Sequence, residues 1–583
     1  MKARHIVAYF DRIADAPDSI PRLRQYILDL AVQGKLVEQD PGNEPASELL
    51  NRIWEEKERL FEEKKINRLN PRLPFESGEI AIQVPLGWAW VRISDLLLGE
   101  SQNGYSKRPD DALDGVPILR ISAGTVRKDG IVAEEEHKLI GDVSSAQQKQ
   151  YELQSGDLLA CRFNGNRNFV GRLSLYLGYL GIKPIYPDKL IRLRLLSQFV
   201  LPKLVRCFAE SSIVRKDIEG YCATTVGNWG ISASNLINVK IPLPPLAEQH
   251  RIVAKVDELM TLCNRLEAAQ AERESRRDRL AAASLQRLNQ PADTPTFREH
   301  ARFHLSHLQR LTTRPEQITQ LRDTILQLAV LGRLSEQLPQ DGDAQDLLSD
   351  VNGTRRKSRK IPLAGTQETL ESLPNLPDKW AWAITDQVAA NDDNAITDGP
   401  FGANLKTDHY IETPGYRVVR LQNIGRGHFR NENRSYIDKD RFESLAKHWI
   451  FAGDLVVAGL VDPFVRCCEV PHDIGPALVK ADCYRFKVHP NFLARFVQYY
   501  FNSPLCQRFA AIHHHGMTLV RIGLGNFRRI PIPVPPLPEQ HRIVAKVDEL
   551  MALCDRLEAQ LTTTQTQSRR LLEAVLHEAL AGA

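Results

Sequence analysis

Residues 241–268 read IPLPPLAEQHRIVAKVDELMTLCNRLEA and residues 532–559 read IPVPPLPEQHRIVAKVDELMALCDRLEA, with 24 of 28 positions identical. The offset is 291 residues in a chain of 583, so the sequence is two tandem copies of one plan. Weaker echoes recur at nearly the same distance. IPRLRQYILDLAVQGKLVEQ from Ile20 matches ITQLRDTILQLAVLGRLSEQ from Ile318, and VPLGWAWV from Val84 matches LPDKWAWA from Leu376. ILRISAGTVRKDG from Ile118 resembles VVRLQNIGRGHF from Val418, and QSGDLLACR from Gln154 resembles FAGDLVVAG from Phe451. Between these landmarks, over roughly residues 85–240 and 377–530, the copies scarcely agree. The similar parts have a common task and the divergent parts do not.

After Pro244-Pro245, apolar residues fall at Ile252, Val256, Leu259, Cys263 and Leu266, and again at Ile543, Val547, Leu550, Cys554 and Leu557. Alternating steps of four and three make a heptad seam, and the adjoining prolines with Glu248 or Glu539 suit a helix N-terminus, where a carboxylate meets the positive end of the dipole. Cys263 and Cys554 are expected as small buried hydrophobes. As one helix, residues 246–288 would be about 64 Å long, a rod that separates what it joins. The chain opens with the Ile20-type helix, then a second with Leu49, Ile53, Leu60 and Phe61 on one side. It closes with the Ile543-type helix, and the middle carries both types in the order closing then opening. The two chain ends should therefore pack together.

The divergent modules carry short strand-like runs such as PILRIS, RLSLYLGYLGI and GDLVVAGLV between Gly and Pro, and read as α/β modules. Trp88 and Trp90, like Trp380 and Trp382, are expected to share one strand face. The fold class that follows is α+β or α/β: two globular domains separated by two long antiparallel coiled-coil helical spacers in a pseudo-two-fold circular arrangement. Its segments are a helical region 1–72, a domain 85–245, a spacer 246–352, a second domain 376–536, and a closing helix 537–583 that packs with the N-terminal region. Length alone suggests roughly four units; the repeat resolves them as two copies of a two-part plan.

Composition sets the class. With 43% hydrophobic and 25% charged residues the chain is an ordinary folded protein rather than a disordered one. Nine cysteines, an odd count, and charges scattered through MKARHIVAYFDRIADAPDS favour a reducing cytoplasm over a secreted disulfide framework. No run approaches the roughly 18 apolar residues of a membrane span. The sequence holds no GxxxxGK[ST], GxGxxG, NPP[FY] or GxSxG motif, and Pro377-Asp378-Lys379 is too isolated to be a nuclease core. His513, His514 and His515 lack zinc-site spacing and read as a surface loop, and Cys467-Cys468 as core or loop thiols. No metal site and no catalytic residue is expected.

The net charge of +4 conceals local asymmetry. Residues 161–194 hold seven Lys and Arg against Asp188 alone, and residues 417–430 and 503–530 hold four Arg each with no acid. Arg interleaved with amides in RFNGNRN (162–168) and RLQNIGR (420–426) suits base reading, because Arg bonds guanine and Asn or Gln bonds adenine bidentately. The DNA-binding candidates in the first module are Lys107, Arg108, Arg120, Arg162, Asn164, Asn166, Arg167 and Arg172. In the second they are Lys406, Arg420, Gln422, Asn423, Arg426, Arg430, Arg521 and Arg528.

The doubled PPLxEQHRIVAKVDELM helix, the two W-A-W module starts, the two GDL strands and the LAVxGxL helices together resemble the DNA specificity (S) subunits of type I restriction-modification enzymes. The resemblance spans essentially the whole chain, and WEEKERLFEEKK resembles the subfamily with an extra N-terminal helical region. It implies that each divergent module is a target recognition domain for one half of a bipartite double-stranded DNA site, with the spacers fixing the separation. It also implies recruitment of two modification subunits, which methylate flipped-out adenine with S-adenosylmethionine, and of two restriction subunits, which use ATP and Mg²⁺. On that reading this chain holds no cofactor or active site. The alternatives are a coiled-coil scaffold without DNA affinity and a self-contained restriction or methylation enzyme.

Overall fold

A computed structural model describes residues 18–69, 74–75, 79, 82–110, 112–124, 127, 129–178, 181–225, 227–290, 293–353, 373–460, 465–512 and 521–581. The chain forms two compact units, residues 1–272 with 565–583, and residues 273–564.

Unit 1 begins with helix α1 (Ser19–Val32) and helix α2 (Ala46–Glu62). In α2, Leu49, Ile53 and Leu60 are buried as the pattern requires, but Phe61 is 44% exposed, since it lies one residue round from Leu60 and turns off the apolar face. Helix α1 ends at Gln33, after which Gly34 takes φ +69°. Gly34 N–H donates to the Ala31 carbonyl and Lys35 N–H to that of Leu30, the paired bonds of a Schellman cap. A Cβ on Gly34 would lie 2.3 Å from Cγ of Pro85, so the LAVxGxL motif is a helix stop that also seats the start of the module.

The module hangs from a two-stranded neck. Strand β1 (Ala89–Arg92) pairs antiparallel with β11 (Lys240–Leu243), Ala89 opposite Leu243. Between them lie a four-stranded sheet in the order β2 (Gln102–Asn103), β8 (Leu190–Leu193), β5 (Leu158–Cys161), β7 (Leu173–Leu175), and a hairpin of β3 (Val116–Leu119) and β4 (His137–Ile140). A third sheet has the order β6 (Phe163–Asn164), β10 (Asn228–Gly230), β9 (Ala223–Thr225). Helix α3 (Pro202–Ala209) covers the core beside Trp88.

Helix α4 (Leu246–Asn289) follows, 44 residues or about 66 Å. Its seam residues Ile252, Val256 and Cys263 are buried, with Leu259 and Leu266 half-buried, in one core with Ile20, Ile27 and Ala31 of α1. Arg24 reaches Asn264 and Glu267, whereas Gln39, beyond the other end of α1, reaches Glu248, so the two helices run antiparallel.

Unit 2 repeats the plan. Past helix α5 (Thr294–Ser306), helix α6 (Pro315–Val330) has Gly332 at φ +68° and the same paired cap bonds, followed by helix α7 (Ala344–Gly353). Its neck is β12 (Ala381–Ile384) on β21 (Pro531–Val534). One sheet has the order β13 (Ile396–Thr397), β20 (Cys483–Phe486), β17 (Leu455–Ala458), β18 (Arg466–Glu469). The other has β15 (Tyr436–Ile437), β14 (Tyr416–Val419), β19 (Ala477–Val479), β16 (Trp449–Ile450). Helix α8 (Ala494–Phe501) corresponds to α3. Helix α9 (Leu537–Ala581) buries Ile543, Val547 and Cys554 against Ile318, Ile325 and Ala329 of α6, with Leu550 and Leu557 half-buried beside them.

Each Ile20-type helix meets the head of one long helix and the tail of the other. In unit 2, α6 also packs on Leu285 and Leu288 of α4, and Gln317 bonds Asp278. In unit 1, Arg22 pairs with Glu573 at 2.7 Å and Asp18 with Arg569 at 3.5 Å, while Leu572 and Val575 are buried. The chain ends thus share one unit, as the order of segments requires.

The modules are α+β rather than α/β. Among the named strand pairs only β14 with β19 is parallel; the strands are two to four residues long and pair antiparallel, without the long helical crossovers a parallel sheet needs. The nine cysteines are unpaired, and Cys467 and Cys468 are buried in strand β18. His513, His514 and His515 lie outside the described residues. Among the described residues no cluster of His, Cys, Asp or Glu could hold a metal ion, and no helix is long and apolar enough to cross a membrane.

Candidate nucleic-acid interface and its mounting

The shared motif holds each module to its helix. Trp88 and Trp90 do not share a strand face: β1 begins at Ala89, so Trp88 sits before the ladder and turns into the core, stacked near Phe208 with ring centres 6.1 Å apart. Its indole N–H donates to Glu248 Oε2 at 3.0 Å, and that of Trp380 to Glu539 Oε2 at 2.8 Å. Both carboxylates are buried. They serve as acceptors for tryptophan rather than as solvated first-turn charges. The second oxygen of Glu248 accepts from Gln39 and that of Glu539 from Ser335. The adjoining glutamines grip the modules' backbone: Gln249 accepts from Leu201 N–H and donates to the Phe199 and Pro244 carbonyls, while Gln540 accepts from Leu493 N–H and donates to the Pro535 carbonyl.

Ion pairs repeat at matching positions. Arg24 on Glu267 corresponds to Arg322 on Glu558, and Lys203 on Asp257 to Arg495 on Asp548. The near-identical sequence therefore encodes one joint used twice.

Burial pushes the Glu248 and Glu539 carboxyls above the usual carboxylate range, partly offset by the indole and other hydrogen bonds they accept. The folded form then holds its proton to higher pH than the unfolded chain. This contribution to stability is complete below the unfolded value and is lost as pH rises through the folded one. Glu539→Gln keeps an acceptor for Trp380 and removes the charge. Its melting temperature relative to wild type should rise as pH increases above the unfolded carboxyl's value of about 4. Glu539→Leu should instead melt lower at every pH, because the indole N–H loses its acceptor.

On the first module, the ladder of β6, β10 and β9 sets Trp229 opposite Asn164 and carries a surface of amides. Asn164 Oδ1 accepts from Asn166 N–H at 2.8 Å, and Asn166 Oδ1 from Asn168 N–H at 3.0 Å, which fixes the loop. Asn228 lies against Gly165, an ideal Cβ on which would be 3.7 Å from its Oδ1. Gly165, Asn166, Asn168 and Asn228 are exposed. Cations flank them: Arg162 and Lys189 lie 4.8 and 5.1 Å from the Phe163 ring centre, and Arg167 4.8 Å from that of Trp229. Sequence reading missed Asn168, Asn228 and Lys189. Only strand pairing brings Asn228 against Gly165, although the GNW segment, with Gly227 at φ +79°, was its signal.

The remaining candidates separate by partner. Arg108 and Arg120 are exposed, and Lys107 forms an exposed pair with Asp142. Arg162 also donates to the Asp188 carbonyl and Arg167 to that of Glu219. Arg172 is corrected to a structural role: Glu210 holds it at 3.0 Å, with two further bonds closing a fork.

In the second module Lys406, Gln422 and Arg430 are exposed, and Arg521 is 54% exposed with Asp482 3.7 Å away. Arg420 is half-buried and donates to the Asn433 carbonyl. Three expectations there are corrected. Asn423 is wholly buried, accepting from Arg420 N–H and donating to the Arg430 and Glu432 carbonyls, so it shapes the loop and reaches no base. Arg528 is held by Asp386 and the Ile396 carbonyl, and Arg426 by Asp323 and the Asn502 carbonyl. The segments equivalent to the amide surface, 461–464 and 513–520, lie outside the described residues. Their frame is the same: Ile522 N–H donates to Gly459 as Ile231 does to Arg162, at 2.9 and 3.0 Å.

Residues 218–274 and 402–564 match the family model of the type I restriction modification DNA specificity domain. The chain is 26% identical to the EcoAI specificity subunit of Escherichia coli, over 96% of this chain and 94% of that protein. It is 32% identical to the EcoKI specificity subunit of Escherichia coli K12 over 44% and 46% of the two chains. Superposition on a crystal structure of the HsdS subunit from Thermoanaerobacter tengcongensis gives a TM-score of 0.41 at 18% identity, covering 86% of this chain and 98% of that one. With its repeated joint, the chain is similar over nearly its full length to the DNA specificity subunits of type I restriction enzymes.

Proposed function

We propose that the modules at 85–245 and 376–536 each read one half of a bipartite DNA site. On this reading the helical segments 246–352 and 537–583, the latter with 1–72, set the half-site separation and present twin surfaces to two modification subunits. The observation that carries it is the contrast between mounting and face. The joint recurs bond for bond at Trp88–Glu248 and Trp380–Glu539, while the surfaces it carries differ in sequence. A partner present twice meets the same residues twice; two different half-sites need different side chains. Adenine methylation with S-adenosylmethionine, and cleavage driven by ATP and Mg²⁺ through two restriction subunits, then belong to those partners. The role of this chain is to choose the site.

Selection of bound sequences from a random duplex pool, at moderate salt with the modification partner, should enrich two short blocks separated by an unspecified gap of fixed length. Enrichment of no sequence would overturn the reading. In the same selection, a chain carrying Asn164→Ala and Asn228→Ala should relax one or two positions of one block. Each lost bidentate contact is worth about 1–3 kcal/mol, and the other block should be untouched.

A further inference from the structure

Among the arginines of the second module two groups stand apart. Arg426, Arg485, Arg521 and Arg528 each face a carboxylate. Arg417, Arg420, Arg430, Arg434 and Arg466 form no ion pair among the described residues. Arg417 is the extreme case. It lies on β14, opposite Tyr436 of β15 and beside Ala477 of β19, and is 3% exposed. None of its three guanidinium nitrogens reaches an acceptor with hydrogen-bond geometry, and its guanidinium carbon stands 5.8 Å from the centre of the Tyr436 ring. Burial depresses its pKa, the Tyr436 phenol offsets part of this, and Arg434 and Arg420 add repulsion.

Arg420 and Arg434 are fixed by carbonyls alone, those of Asn433 and Asn431. Glu432, the carboxylate of this loop, is exposed and joins no ion pair among the described residues; its carbonyl is taken by Asn423. A buried cation without a counter-charge is costly, and departures of this kind from internal consistency concentrate at functional sites. Among the described residues the neighbourhood supplies positive charge and a phenol, and no carboxylate pairs with Arg417.

We propose that Arg417, with Arg420 and Arg434, forms an anion site that takes a backbone phosphate of bound DNA, the neighbouring side chains moving aside to admit it. The proposal rests on the DNA-reading role above and adds to it a grip that positions the second half-site without reading its bases.

Two measurements on the full chain test it: binding to a duplex of arbitrary sequence across a salt series, and thermal melting with and without sodium sulfate. Arg417→Met keeps most of the apolar stem and removes the charge. It should melt higher than wild type without added anion, lose the stabilisation that sulfate gives wild type, and bind duplex about tenfold more weakly, with the slope of log affinity against log salt reduced by about 0.9. Arg434→Gln, at an exposed position, should show the same loss of slope and decides the matter if Arg417→Met fails to fold. Lys546→Gln removes the same charge from an exposed pair with Glu549 on α9 and should change neither.

Wild-type binding with salt slopes unchanged in both arginine variants would overturn the site. Stabilisation by sulfate with unchanged slopes would mean a free-anion site and equally overturn the DNA assignment. A wild-type chain with no affinity for any duplex would instead overturn the broader reading.

Discussion

Replacing residues 85–240 with the corresponding segment of a similar type I specificity subunit is expected, if each module reads its own half-site, to change one block of the recognised sequence and to leave the other block and their separation unaltered. The neck provides the reason. Strands β1 and β11 pair with each other, Ala89 opposite Leu243 and Val91 opposite Ile241, so the module enters and leaves at one place. An insertion with adjacent ends can be exchanged without altering what it is mounted on. The anchors Glu248 and Gln249 lie outside the exchanged segment, and both copies supply the tryptophan that meets the glutamate. Each mismatched base pair costs about 1–3 kcal/mol, so a half-site differing at three positions should lose at least about a hundredfold in affinity. Sequencing the duplexes enriched by the hybrid, or the sites methylated with its modification partner, reads the result. Changes in both blocks would show that the modules do not read independently.

Trp380→Ala is expected to lower the melting temperature of unit 2 by about 10 °C. Truncating a buried tryptophan costs about 3–5 kcal/mol, and leaving the buried Glu539 carboxylate without its indole donor adds about 1–3 kcal/mol. Each kcal/mol shifts the transition of a domain of 150–250 residues by about 2–4 °C. Trp380 touches three elements at once: its indole N–H bonds Glu539 of α9, its ring meets Phe496 of α8 edge-on at 6.3 Å, and a Cβ on Gly332 would lie 3.0 Å from its Cζ2. Trp380→Phe keeps much of the apolar area and loses only the N–H, so it should fall between the variant and wild type. Calorimetry on the full chain distinguishes these; a shift below about 3 °C in Trp380→Ala would show that the joint does not hold the unit together.

The long helices and their shared use were legible because they rest on local periodicity and on repetition. Ile252, Val256 and Cys263, with Ile543, Val547 and Cys554, are buried as their spacing requires, and α4 ends at Asn289, beside the expected stop. The partner of each seam was only implied by segment order, and the fold supplied it as α1 and α6. The modules were less readable. Their strands run to four residues or fewer, too short for periodicity to fix pairing, so the α/β expectation gave way to small, mostly antiparallel sheets. Charge counts found the basic segments, yet could not tell Arg172, clasped by Glu210, from Arg167, resting on Trp229, because a counter-charge 38 residues away is visible only after folding.

By itself the sequence determined that there are two copies of one plan, with helices built alike and modules that differ, since repetition and helical period are properties of the chain in order. Tertiary structure alone decided which charges are spent inside the protein and which remain for a ligand. It put Asn228 against Gly165, closed Asn423 away, and left Arg417 buried with no counter-charge among the described residues, because each outcome depends on which distant strand is the neighbour.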